Sequence, residues 1–247
     1  MRFGDIKKQM LKKKFEGCRG IVLLGVPGCF KTSYARELEK SRGYFRLSLG
    51  ELFFKNKQKM NKETNVDSFE SQLASLEHSA PVDQLALFDL AYDALEKAKK
   101  EQQNLKIVID GTPKTDTQLR IFEQLFDISI LKVVTLSLPL EVSVRLLLNR
   151  EICPSCLKTY NSFFLKDQKF DIEALLPKVT QTCDNCSTIL TKRPQDLKGE
   201  ILKRLTFLQS NQVQVLKGFE SRGVKTFTFQ PFKGIKDFDR FVNEFDN

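Results

Sequence analysis

The chain reads as an α/β protein, a parallel five-stranded sheet with helices on both faces. Three observations point there. Short, wholly apolar runs such as Ile21–Leu24 lack the alternation of a half-exposed strand, so they suit strands buried on both faces. Segments of helical periodicity separate these runs, and strand–helix alternation implies parallel pairing with right-handed crossovers. A glycine turn joins the first strand to the first helix, in the order strand, phosphate loop, helix.

The elements follow in order. Residues 1–19 read as a polar, basic arm, and residues 20–247 as one domain carrying two insertions, at about 48–82 and about 151–192. Ile21–Leu24 is the first strand, and Thr32 to about Ser41 the first helix. Tyr44–Leu47 is a second strand, with Ser48–Leu52 turning into another helix. Residues 55–80 begin with Lys55, Lys57, Lys59 and Lys62 and later place Phe69, Leu73 and Leu76 at helical spacing, which suggests a helical insertion. Asp83–Lys99 is amphipathic, with Leu87, Leu90, Ala91, Ala94 and Leu95 on one face. Leu105–Ile109 is a third strand, Gln118–Phe126 a helix, Leu131–Leu138 a fourth strand ended by Pro139, and Glu141–Arg150 a helix. Cys153–Cys186 is an insertion of turn residues, aromatics and paired cysteines. Asp196–Phe219 is a long helix and Thr226–Phe229 the last strand. Asp237–Phe245 closes the chain with Phe238, Phe241 and Phe245 on one side, a stripe that reads as core packing.

Composition narrows the class. The 247 residues, 41% hydrophobic, suffice for a substantial core. No apolar run approaches the length of a membrane span, so no membrane partner is expected. The N-terminus lacks the apolar segment of a secretory signal, and a cytoplasmic protein is expected. Net charge is +9. The basic arm fits nucleic acid or membrane contact, but a solvated extension is the preferred reading; basic side chains elsewhere suit polyphosphate ligands.

Three constellations carry chemistry. In Gly25-Val26-Pro27-Gly28-Cys29-Phe30-Lys31-Thr32-Ser33, Gly25, Lys31 and Thr32 fit the P-loop pattern, and Gly28 adds a flexible position. Phe30 stands where that pattern has glycine. Lys31 can reach phosphates, Thr32 and Ser33 can bind phosphate or help hold Mg²⁺, and the helix contributes its positive end. Cys29 is most simply a small filler. Asp110-Gly111-Thr112-Pro113-Lys114 follows a buried strand. Asp110 there can organise Mg²⁺ through water, and Lys114 can meet a second phosphate; the bland alternative is a loop cap. Finally, Cys153-Pro154-Ser155-Cys156 and Cys183-Asp184-Asn185-Cys186 supply four thiolates in two knuckles, the ligand set of tetrahedral Zn²⁺. With His78 the single histidine and no open position evident, the zinc is expected to be structural. Arg150, Arg193 and Arg204 flank that insertion, and phosphoryl transfer requires cations around the migrating group.

In the order of these motifs the sequence resembles the adenylate kinase family, in its long form with a zinc-bearing lid. The resemblance runs from about Arg19 to Phe229. Gly25–Lys31 is similar to the family's G-x-P-G-x-G-K, Ser48-Leu49-Gly50-Glu51 to its S-T-G-D, and Asp110–Lys114 with Gln118 to its D-G-F-P-R and AMP-reading glutamine. Asn149–Cys156 resembles the lid entrance G-R-R-x-C-P-x-C; Arg193 with Asp196, then Arg204, resembles the lid exit. The resemblance implies a P-loop nucleoside-monophosphate kinase fold with a helical AMP flap and a lid. It implies transfer of a phosphoryl group from Mg-ATP to AMP, with ATP and AMP as partners, no nucleic acid, and a monomer. Lys31 would contact the donor, Arg150, Arg193 and Arg204 the transferred group, Lys114 the acceptor phosphate, and Gln118 the adenine, with Leu49 and Gly111 beside it. Cys153, Cys156, Cys183 and Cys186 would bind the lid zinc.

The departures are specific. Phe30 replaces a glycine, Leu49 a threonine, Lys114 an arginine, and Phe54 stands where the flap arginine is expected. Each bears on phosphate or AMP, and losing several charged hydrogen bonds of about 1.5–3 kcal/mol each would slow catalysis severely. A nucleotide-binding scaffold of little activity, or a kinase for another nucleoside monophosphate, is the alternative.

Overall fold

The computed structural model describes residues 18–60, 81–193 and 196–246. The expected features within 1–17 and 61–80, including most of the basic arm and the middle of the first insertion, lie outside them.

Five strands, β1 (Gly20–Leu24), β2 (Phe45–Leu47), β3 (Ile107–Asp110), β4 (Leu131–Leu136) and β9 (Thr226–Phe229), form one sheet in the order β2-β3-β1-β4-β9. Every pairing is parallel. Along the central β1 the pleat sends Ile21 and Leu23 to one face and Val22 and Leu24 to the other, and all four are buried. The first face is covered by α1 (Lys31–Arg42), α5 (Leu140–Leu148) and α7 (Phe238–Phe245). The second is covered by α3 (Pro81–Glu101), α4 (Asp116–Leu125) and α6 (Lys198–Glu220). A strand covered on both sides has no solvent face to mark with polar residues, which is why these runs read as continuous apolar sequence. The phenylalanine stripe of α7 is core: Phe241 packs edge-on against Tyr34 and Phe229 at ring distances of 5.1 and 5.4 Å.

Several boundaries move, each for a local reason. Ser48 starts α2 (Leu49–Met60) rather than a turn, its carbonyl accepting from the Leu52 N–H at 3.0 Å. In α4, Thr115 caps the first turn by accepting from the Gln118 N–H at 3.2 Å. Helix α5 stops at Leu148, and Arg150, expected as its last residue, opens a strand instead. That strand, β5 (Arg150–Ile152), pairs antiparallel with β6 (Thr159–Asn161), and the Asn161 amide donates to the Leu146 carbonyl at 2.6 Å, tying the hairpin to the end of the helix.

A second hairpin, β7 (Leu165–Lys166) with β8 (Asp171–Ile172), completes the segment between α5 and α6. It touches the core beyond β9: the Asp171 N–H donates to the Phe232 carbonyl at 3.0 Å. Among the described residues no helix is long and apolar enough to cross a membrane.

Candidate active site

The carboxyl ends of β1, β2 and β3 open into a cavity of about 600 Å³. Ligands in parallel sheets bind at this end. The loop after β1 turns through positive φ at Gly25, Gly28 and Phe30. Gly25 has φ +136°, and a Cβ there would lie 2.6 Å from Cys29 Sγ and overlap the Leu136 carbonyl. Phe30 itself adopts φ 68°, ψ 9°, the left-handed conformation that costs an L residue about 1–2 kcal/mol. Its ring packs against Gly234 at the cavity wall. Phe30 thus adopts the left-handed backbone that a glycine takes without strain, with its ring turned onto Gly234.

Within that loop Lys31 Nζ donates to the Val26 carbonyl at 2.7 Å and lies 3.6 Å from Cys29 Sγ. Thr32 Oγ1 donates to Asp110 Oδ1 at 3.3 Å, joining the two motifs across adjacent strands. Cys29 is fully buried; its thiol donates to the Val26 carbonyl at 2.9 Å, and burial pushes its pKa up. Of the residues expected to meet nucleotide, Cys29 alone does not line the cavity. Gly25, Pro27, Gly28, Phe30, Lys31, Thr32 and Ser33 do, as do Leu49, Asp110, Gly111, Lys114 and Gln118 opposite. Gln118 is 5% exposed, and its amide oxygen accepts from the Lys114 N–H at 2.8 Å. This is a capping-box contact displaced by one residue.

Arg150, Arg193 and Arg204 line the same cavity, with Lys203 beside them. One carboxylate gathers two of the three: Arg150 donates through Nε and Nη2 to both oxygens of Asp196, each at 2.8 Å, and Arg204 Nη1 lies 3.6 Å from Asp196 Oδ1. The Asp196 side chain is 1% exposed, so this two-point grip compensates a buried charge.

Sequence reasoning missed a second ionic cluster on the acceptor side. Arg46, 7% exposed, pairs with Asp110 at 3.2 Å and with Glu39 at 3.3 Å, and also with Glu51. Arg36 donates to Glu51 at 2.9 Å. Burial opposes the Glu51 charge, but hydrogen bonds and attraction from Arg46 and then Arg36 outweigh it and hold the carboxyl below its usual range. The available signal was an arginine inside the otherwise apolar run Tyr44–Leu47. Phe54, where the flap arginine is expected, is buried and absent from the cavity wall.

The four paired cysteines converge. Cys153 and Cys186 Sγ lie 3.3 Å apart, Cys156 and Cys183 Sγ 3.5 Å apart, and all four within 4.8 Å of one another. Such spacing is too long for a disulfide and suits four thiolates around one ion at about 2.3 Å. The knuckles match in build: Leu157 N–H donates to the Cys153 carbonyl at 3.0 Å and Ser187 N–H to the Cys183 carbonyl at 2.9 Å, with φ of 60° and 57° at those residues. Thr188 hydrogen-bonds Cys186 and brings its thiol down to about 6, toward the ligating thiolate form.

Fold and cavity together are those of a P-loop nucleoside-monophosphate kinase. A model of the AAA domain family matches residues 24–152, just over half of the chain, and the chain belongs to that family. It is similar to a GTP:AMP phosphotransferase of Plasmodium falciparum (isolate 3D7), 26% identical over 90% of this chain and 94% of the relative. It is also similar to the adenylate kinases of Mycoplasma pneumoniae, 26% identical over 83% of this chain and 87% of the relative, and Mesoplasma florum, 28% identical over 75% and 79%.

Proposed function

We propose that this chain transfers the terminal phosphoryl group of Mg-ATP to AMP, giving two ADP, as a cytoplasmic monomer. The observation that supports the reading is a single cavity lined by Lys31 and the loop after β1, by Lys114 and Gln118, and by Arg150, Arg193 and Arg204. The bond from the γ-phosphorus to the β-phosphate oxygen breaks as one forms to an AMP phosphate oxygen. Such a transfer needs positioning and charge more than covalent help.

Lys31 exchanges the Val26 carbonyl for donor phosphate. The arginines hold the charge of the migrating group, with Arg150 kept in orientation by Asp196. Lys114 takes the acceptor phosphate. The Gln118 amide nitrogen donates to a ring nitrogen of adenine, whereas guanine offers N1–H at that edge and cannot accept there. Thr32, Ser33 and Asp110 would hold Mg²⁺ with the donor, and the ion would supply charge neutralisation. The cysteine site would hold structural Zn²⁺, which shapes the lid and takes no part in the reaction. Lid closure excludes water, so the donor is not lost to hydrolysis.

A second donor, Mg-GTP, is favoured by the P. falciparum relative, whose name specifies GTP and AMP. The test is purified protein with AMP and either Mg-ATP or Mg-GTP, followed for nucleoside diphosphate. Turnover dependent on AMP should fall about a hundredfold or more in Lys31→Ala. Product no greater than in that variant would defeat the reading and leave a nucleotide-binding scaffold.

A further inference from the structure

The segment expected to form the acceptor flap and the cysteine-bearing lid touch in this structure. Arg36, on α1, donates through one nitrogen, Nη2, to both segments: to Glu51 Oε1 on α2 at 2.9 Å, and to the Leu157 carbonyl in the first cysteine knuckle at 3.0 Å. Beside it, Phe54 of α2, 2% exposed, forms an apolar cluster with Ile152 and Leu157 of the lid, with Phe53 packed at its edge. Leu157 reaches that cluster from a left-handed turn fixed by its own bond back to Cys153. A side chain at position 54 thus makes a protein contact across the gap between two elements that flank the cavity.

We propose that Arg36 and Phe54 are positioning residues that join the acceptor flap to the lid, so that filling the acceptor site and closing the lid become one equilibrium. The proposal rests on the nucleotide-kinase reading above. Two elements closing separately would bind their ligands with little mutual influence. Elements sharing a buried cluster move together, and a ligand that holds one then favours the closed form of the other.

The test uses the full chain with zinc present. AMP affinity is measured by calorimetry with and without the β,γ-imido analogue of ATP, in wild type, Phe54→Ala and Phe54→Leu. Amide hydrogen exchange of residues 152–158 is followed without nucleotide. The analogue should tighten AMP about five- to tenfold or more in wild type, with that gain falling close to one in Phe54→Ala and largely restored by Phe54→Leu. Exchange over 152–158 should quicken several-fold in Phe54→Ala, which a role confined to the flap would not produce. Wild type binding both nucleotides, with the gain or the exchange unchanged in Phe54→Ala, overturns this inference alone. Wild type binding neither nucleotide overturns it together with the kinase reading.

Discussion

At the scale of the residue, Phe30 illustrates how a turn survives the loss of its glycine. The left-handed backbone is strained for phenylalanine, but the ring regains contact by lying on Gly234, which has no Cβ and itself sits at φ +58°. An added methyl at Gly234 would meet the ring at 3.0 Å. Gly234→Ala should therefore destabilise the fold by about 1–2 kcal/mol from backbone strain alone, with a further part from the ring. In a Phe30→Gly background that further part disappears. Denaturant unfolding of the four proteins should give a coupling of about 0.5 kcal/mol or more, and strict additivity would count against the contact. Neither this pairing nor the Arg46 cluster was legible in sequence. A motif pattern records which residue is missing from a turn, not which distant residue compensates for it. Arg46 and Asp110 are likewise joined only by the pairing of β2 with β3, and Glu51 reaches them from helix α2.

Elements differ in how plainly they announce themselves. The inner strands β1, β3 and β4 were readable because burial on both faces leaves nearly unbroken apolar runs; the edge strand Thr226–Phe229, which alternates threonine with phenylalanine, also has the bounds its sequence suggests. The lid hairpins were not, because β7 and β8 have two residues each and so short a strand carries no periodicity. What was readable in the lid was its chemistry: two C-x-x-C knuckles imply one tetrahedral site wherever the chain between them runs. That site should carry the stability of the lid, since Cys153, Cys183, Tyr160 and Leu190 form only a small buried cluster. Removing the ion with a strong chelator should release one equivalent of zinc and quicken proteolysis between 150 and 192. The sheet, with separate cores on both faces, should still melt cooperatively. A metal-free protein with an equally resistant lid would show that the thiols serve another purpose.

For the whole molecule, charge and topology converge on the same end of the sheet. Strand order brings the loop after β1 beside Asp110 at the end of β3, and the lid brings its arginines over both. With a net charge of +9, the field around the cavity should draw polyanions inward. Raising ionic strength from about 0.05 to 0.5 M should slow nucleotide association several-fold as the screening length shortens, while binding of uncharged adenosine changes little. Stopped-flow association rates would reveal equal sensitivity if the effect were not electrostatic. The ammonium of Lys31 already rests on a backbone oxygen inside its own loop. That bond holds the lysine stem against its own loop, and a bound phosphate would take the Val26 carbonyl's place at an ammonium whose position folding has set. Little ordering remains to be done at the moment of capture, so discrimination among ligands falls to the parts of the protein that still have to move.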